Sequence, residues 1–267
     1  MVRLLTSLWV LVCLYAPVTM ANTTLTHETW SQLLQAHVVA TDDGASTAVD
    51  YAGFAQDQAT FQSYLTQLSS VSNAQFEEWS EADQLAFLIN AYNAFTVALI
   101  LTKWPDLESI KDIGGWFSSP WKQAFISLLG EKVSLDHIEH TWIRGAGRYE
   151  DPRIHFAVNC ASIGCPALRN EAYTGAQLND QLNQQTRQFL SDRSRNRLDQ
   201  GTVYLSSIFK WYREDFEKGW RGYSSLGSFL ADYGDALGAT ESQRRSWRES
   251  TPEVSILSYD WRLNSIR

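Results

Sequence analysis

Two cysteines, three histidines and several carboxamides near the middle of this chain have the types and spacing for thiol chemistry. The central stretch is Arg153-Ile154-His155-Phe156-Ala157-Val158-Asn159-Cys160-Ala161-Ser162-Ile163-Gly164-Cys165-Pro166. Ile154, Phe156 and Val158 alternate with His155, Ala157 and Asn159, which predicts a short buried strand with His155 and Asn159 on one face. Asn159-Cys160 breaks the alternation, Gly164 permits a tight bend, and Pro166 suits the first position of a following helix. A thiol placed after a strand and near a histidine is a candidate nucleophile: the thiolate needs an electropositive setting and a base held by a third group. His155 lies upstream on the same strand, while Glu139 and His140 offer a base and its orienter from a preceding helix. Asn159, Asn90 or Asn93 would orient an imidazole or donate to an oxyanion.

A Cys160–Cys165 disulfide competes with this reading, since a loop containing Gly164 and Pro166 brings the Cα atoms within the required range of about 4.4–6.8 Å. Two inert buried thiols are the third alternative, and the residues leave all three open. His137 and His140, three apart on a helix face, invite comparison with a zinc site. They lack the four-residue spacing and intervening glutamate of the two-histidine zinc helix, so no metal and no cofactor is expected. Arg144 and Arg153 bracket the turn at 145–152 and offer guanidinium forks to a substrate carboxylate, or pair with Glu139 and Asp151.

The elements that must position these groups read as helices with a little strand. Helices are predicted over 26–39, from Asp57, over 81–102, 135–144, 177–192, 208–217, 224–237 and 241–249. Caps are expected at Ser80, Ser134, Thr174 (with Gln177) and Ser207. The helix at 81–102 has an apolar stripe, and its opposite side carries Ala86, Asn90, Asn93 and Val97 rather than charges, so it is expected to be buried on most sides. Asn90 and Asn93 then either brace neighbouring backbone or line the site, because a buried amide needs partners. Short strands are expected at 131–133, 203–205 and from Val254 to Trp261. The fold class is α+β: one helix-rich domain with a small sheet, over 22–267.

Residues 1–21 read as a secretory signal peptide, with Arg3, an apolar run from Leu4 to Ala16 and a cleavage site after Ala21. The processed chain would be periplasmic or secreted and would keep no stable membrane span. Without Arg3 there are 21 basic and 30 acidic residues. There is no basic stripe, which argues against a nucleic-acid partner. Eleven tryptophans and eleven tyrosines imply large buried or ligand-facing aromatic surfaces.

Five ordered blocks carry a family resemblance: LAFLINAYNAFT (85–96), VSLDHIEHTWIR (133–144), DPRIHFAVNCASIGCPAL (151–168), LSSIFKWYREDF (205–216) and YDWRLN (259–264). Together they resemble the domain of unknown function 547 family of bacteria, plants and nematodes, over about 50–264. The resemblance marks Asn90, Asn93, Glu139, His140, Arg144, Arg153, His155, Cys160, Cys165 and Pro166 as matching positions. Polar groups drawn from separate elements imply one convergent site. By analogy of strand, histidine and cysteine they suggest a remote likeness to papain-like or transglutaminase-like thiol enzymes.

Three functions are therefore expected in order. The first is a thiol-dependent hydrolase or acyltransferase acting on an amide or thioester bond of a small-molecule, peptide or cell-envelope substrate. Cys160 would be the nucleophile, His155 or His140 the base, Glu139 its orienter, and Asn159 or Asn90 the oxyanion donor. The second is a thiol–disulfide redox protein cycling Cys160 and Cys165. The third is a non-catalytic binding module with a structural bridge.

Overall fold

The structure is a computed structural model that describes residues 24–41, 44–115, 119–145 and 147–266; the signal peptide expected at 1–21 lies outside them. From the N-terminus, α1 (Glu28–His37) runs into a hairpin of β1 (Val38–Ala40) and β2 (Thr47–Val49). Then come α2 (Tyr51–Gln56), α3 (Gln58–Ser70), α4 (Asn73–Glu77) and the long α5 (Glu81–Leu101). Ser80 caps α5 by accepting from the Asp83 N–H, which satisfies one of the unpaired amides of the first turn. An apolar helix of this length could cross a membrane by composition alone, but 89% of its most apolar window is buried inside the protein. It is the central core helix, covered on all sides as its uncharged rear face requires.

A second hairpin follows, β3 (Ile126–Leu128) with β4 (Glu131–Val133). Ser134 caps α6 (Leu135–His137), which widens into a π-helical stretch over Ile138–Ile143 instead of continuing as α-helix. Such a bulge rotates the following side chains relative to an α-helical register. After it the expected strand is absent: Pro152–Phe156 is a 3-10 helix. The local sequence explains the correction. Asp151 accepts from the Arg153 N–H at 3.0 Å and Pro152 sits at the first helical position. Arg153 and His155 are as buried as Ile154 and Phe156, so the alternation marks burial on all sides and not two faces of a strand.

No helix starts at Pro166; irregular chain leads to α7 (Leu178–Ser191). Thr174 does not cap α7, because its N–H instead donates to Gln181 Oε1 at 3.0 Å. β5 (Arg197–Asp199) and β6 (Thr202–Leu205) form an antiparallel pair that β7 (Val254–Ile256) extends in parallel. Between β6 and β7 lie α8 (Ile208–Trp211), a 3-10 turn over Arg213–Phe216, α9 (Leu226–Tyr233) and α10 (Glu241–Glu249). Ser207 is not the α8 cap; Ser206 Oγ accepts from the Ile208 N–H, and Ser207 donates to the Leu257 carbonyl. The fold is α+β, helix-rich, with its strands in small sheets.

Two apolar clusters meet at the 3-10 helix of Pro152–Phe156. Ile154 belongs to the larger one around α5, while Phe156 joins Phe189, Phe209, Phe216 and Phe229 in the other. The turn that carries His155 is thus clamped from both sides.

Asn93 ties that turn to α5: its Nδ2 donates to the Ala157 carbonyl at 2.9 Å and its Oδ1 accepts from the Asn159 N–H at 2.8 Å. Asn93→Ala leaves both backbone groups buried and unpaired, so it should cost about 2–4 kcal/mol. Urea unfolding followed by circular dichroism checks this, and a loss below about 1 kcal/mol would contradict the assigned role.

Candidate active site

The cysteine loop is shaped by a chain of buried amides. Asn159 Nδ2 donates to the Pro166 carbonyl at 2.8 Å, and its Oδ1 accepts from the Ala161 N–H at 2.9 Å and from Asn264 Nδ2 at 3.4 Å. Asn264 Oδ1 in turn accepts from the Tyr51 hydroxyl at 2.7 Å. Ala161 adopts a left-handed backbone, φ 61°, an uncommon conformation for a residue with a Cβ and one that such loops sustain only when well braced. Gly164 has no side chain because the Tyr259 ring lies against it: a Cβ there would sit 2.9 Å from ring carbons. The Gly164 N–H donates to the Asp260 carbonyl at 2.8 Å, which pins the loop to the C-terminal segment.

Cys160 and Cys165 form a disulfide with Cα atoms 6.1 Å apart. Cys160 is half-buried and Cys165 buried. The Cys160 N–H and the Tyr259 hydroxyl donate to Cys165 Sγ at 3.0 and 3.2 Å, and the Tyr259 oxygen also lies 3.1 Å from Cys160 Sγ. Ser162 Oγ lies 3.3 Å from each sulfur and donates to the Tyr259 oxygen at 3.1 Å. Burial raises the Tyr259 phenol pKa, so this hydroxyl remains a donor at neutral pH.

The bridge opens onto a cavity of about 210 Å³ that also receives Glu139, His140 and His155. Its remaining wall is largely aromatic, with Tyr92, Trp121, Trp211, Tyr212, Tyr259 and Trp261. A wider groove of about 1040 Å³ between 105–112 and 258–262 shares Tyr259 and Trp261 but holds none of the predicted catalytic groups.

His155 Nε2 meets Asp215 Oδ2 at 2.7 Å, and the imidazole stacks on the Tyr212 ring with centroids 3.9 Å apart. Asp215 is fully buried and also binds Arg144 Nε at 2.6 Å and Lys218 Nζ at 2.7 Å. Burial alone pushes its carboxyl pKa up, but the bonds from His155, Arg144 and Lys218 outweigh that and hold it well below the usual range. An ionised Asp215 requires the His155 proton on Nε2, which leaves Nδ1 as a bare acceptor; Nδ1 is buried and has no partner. Burial also lowers the His155 pKa, more than Asp215 restores it.

Arg144 Nη1 donates to His140 Nδ1 at 2.8 Å, and His140 Nε2 lies 3.5 Å from Asp136. The π-helical register turns Glu139 inward, where its carboxylate accepts from the Tyr212 hydroxyl at 2.6 Å. Glu139 therefore holds Tyr212, the ring under His155, and does not orient either imidazole directly.

The structure brings Cys160, Cys165, Glu139, His140 and His155 to one cavity, and separates the expected substrate-binding groups from it. Asn90 braces backbone, donating to the Tyr173 carbonyl at 2.8 Å and accepting from its N–H at 2.9 Å. Asn93 and Asn159 spend their amides on the loop, as described, and are not placed as oxyanion donors. Arg153 is locked by Asp151 at 2.7 Å and by Asn179 and Asn183 of α7, and Arg144 by Asp215, so neither guanidinium is directed to a ligand. Among the described residues no group of three or more His, Cys, Asp or Glu is arranged to hold a metal ion.

The family profile described as "Protein of unknown function, DUF547" matches residues 76–190. Over those residues the chain is similar to that family. No curated protein and no solved structure matches the chain. The DUF547 region supplies α5, the bridge, Glu139, His140 and His155, whereas Tyr212, Asp215, Trp211, Tyr259 and Trp261 come from beyond it. Sequence reasoning missed Tyr212, Asp215 and Tyr259 as site groups. The signal was present in the blocks 205–216 and 259–264, where aromatic and acidic residues alternate without a solvent-facing period.

The His155 assignment predicts a pH response with a definite sign. A histidine whose pKa is lowered on folding binds its proton more readily when unfolded, so stability is full above the unfolded value of 6.5 and falls as pH drops below it. His27, held down to about 4 by burial, contributes in the same direction, by about 3 kcal/mol in total below pH 4. Nitrogen-15 NMR at pH 6.5 should show His155 mostly neutral, with Nδ1 unprotonated. An imidazolium pattern there would contradict the assignment.

Proposed function

We propose that the protein is a thiol–disulfide exchange protein that cycles Cys160 and Cys165. The observation that carries this reading is the asymmetry of the bridge: Cys160 is half-buried beside the cavity, while Cys165 is buried and its Sγ receives the Cys160 N–H, with the Tyr259 hydroxyl within 3.2 Å of both sulfurs. Exchange requires one accessible sulfur and one good leaving sulfur, and hydrogen-bond donors lower the pKa of the thiolate that leaves.

In the forward step a substrate thiolate attacks Cys160 Sγ and forms a substrate–Cys160 bond. The Cys160–Cys165 bond breaks and its electron pair departs on Cys165 Sγ, which faces the Cys160 N–H and the Tyr259 hydroxyl. A second substrate thiolate then attacks the substrate sulfur of the mixed disulfide and releases Cys160 as thiolate. The substrate leaves as a disulfide and the protein as a dithiol, a transfer of two electrons. The same steps in reverse, with a disulfide-bearing partner, restore the bridge.

The hydrolase or acyltransferase reading starts from the same event, since Cys160 carries no free thiol until the bridge opens. A disulfide suits the exported location expected from the N-terminal sequence. A bridge that never opens would instead make the protein a binding module.

Three measurements on the folded protein test the proposal. Dithiothreitol at neutral pH, without denaturant, should expose both thiols to alkylation. Cys165→Ser incubated with oxidised glutathione should form a mixed disulfide at Cys160, while Cys165 in Cys160→Ser reacts at least about tenfold more slowly because it is buried. Tyr259→Phe should slow opening about tenfold, the value of one hydrogen bond to a charged group. A bridge that resists reduction until the protein unfolds would sink the redox reading.

A further inference from the structure

The same cavity has a charge character that exchange chemistry does not use. Glu139 is only 7% exposed, and its carboxylate has no ion pair within 4 Å among the described residues; it is held by the neutral Tyr212 and Tyr92 hydroxyls. A buried glutamate is rarely left without a cationic partner. Asp136, at the rim, adds a second carboxylate, and no lysine or arginine is among the described residues that line the cavity. The nearest cations are committed elsewhere: Arg144 and Lys218 to Asp215, and Lys111 to the Trp261 ring, over which its Nζ lies at 3.5 Å.

The same cavity is lined by electron-rich rings. Trp211 and Trp261 stack with centroids 5.6 Å apart, Tyr259 lies 4.5 Å from Trp261, and Trp121 meets Trp261 edge-on at 5.8 Å. Trp211 is 46% exposed, so part of its ring is open to a ligand from the cavity side. Rings around a negative charge form the setting in which cation–π attraction is strongest, because the cation is desolvated by apolar surface.

We infer that the cavity binds a small organic cation, an alkylammonium group neutralised by Glu139 and faced by Trp121, Trp211 and Tyr259. The size agrees: at about 210 Å³ the cavity lies below the range of about 300–1,000 Å³ that holds drug-sized ligands. The overall charge of −8 draws cations toward it. This site stands whether or not the bridge exchanges.

Choline and its uncharged carbon isostere, 3,3-dimethylbutan-1-ol, separate charge recognition from apolar filling. Titrated into the oxidised protein with no thiol present and followed by tryptophan fluorescence, choline should bind saturably and at least about tenfold more tightly than the isostere. Equal binding of the two, or no saturable choline binding, overturns the inference. Glu139→Gln should weaken choline about tenfold and leave the isostere unchanged, since glutamine keeps an acceptor for Tyr212. Should that variant fail to fold, Trp211→Ala, at a half-exposed position, is read instead, with a loss of about tenfold expected. Unchanged choline affinity in a folded variant also overturns the inference. Because no thiol is present, its failure leaves the exchange proposal standing, and the failure of exchange leaves it standing in turn.

Discussion

The cavity depends on a line of buried amides running from α5 to the C-terminal segment. Asn93 holds the backbone on both sides of Val158, Asn159 closes the cysteine loop through Ala161 and Pro166, and Asn264 joins that loop to Tyr51. Each of these groups is buried and each bond is made where water cannot substitute, so loss of one partner exposes the full cost of an unpaired group, about 1–3 kcal/mol. The line has no slack to absorb a shift. It keeps Ala161 in its left-handed conformation and sets the Cys160 and Cys165 backbones at the 6.1 Å spacing a bridge needs.

A second constraint sits behind the cavity. Asp215 would be costly to bury alone, yet it is surrounded by Arg144, Lys218 and the His155 imidazole. Two full cations around one carboxylate leave no reason for His155 to charge, and burial in the Tyr212 and Phe216 rings disfavours it further. The consequence is a fixed tautomer, with Nε2 as donor to Asp215 and Nδ1 as acceptor. A free imidazole offers both tautomers; this one presents a single polarity to the cavity. The same cluster aligns the π-helical stretch, because Arg144 also reaches His140, and Glu139 then falls on Tyr212.

How much of this was legible in the sequence follows from the range of each interaction. The α5 helix was readable because its cap and its uncharged rear face are local facts. The competing states of Cys160 and Cys165 were readable as alternatives, since loop length permits the bridge and does not compel it. The strand assigned to Arg153–Asn159 failed because alternation assumes two differently solvated faces, and here both faces are buried between two cores. Asn90 and Asn93 were recognised as needing partners, but whether those partners were backbone or ligand depended on residues 64 and more positions away. Asp215 could not be singled out among thirty acids, because its partners lie up to 71 residues distant. His155, five residues from Cys160, looked like the base for that thiol. Its tie to Asp215, sixty residues downstream, was out of reach of local pattern.

The charge on the cavity and the asymmetry of the bridge bear on each other. A thiolate formed on either sulfur meets Glu139 and Asp136 without a lining cation to offset them. Either carboxylate repels a thiolate, and the low-dielectric cavity strengthens that repulsion over its value in water. That disfavours the thiolate and favours the protonated thiol once the bridge is open, unless a cation occupies the cavity. The thiolate on Cys165 has a compensation that Cys160 lacks, the backbone N–H of Cys160 aimed at it from 3.0 Å. The arrangement therefore favours attack at Cys160 by a thiol that brings its own positive charge. An anionic thiol would add a third negative charge to the two carboxylates and lose the aromatic contacts as well. If both proposals hold, the electrostatics of one small cavity couples them: whatever neutralises Glu139 also makes a thiolate less costly to form.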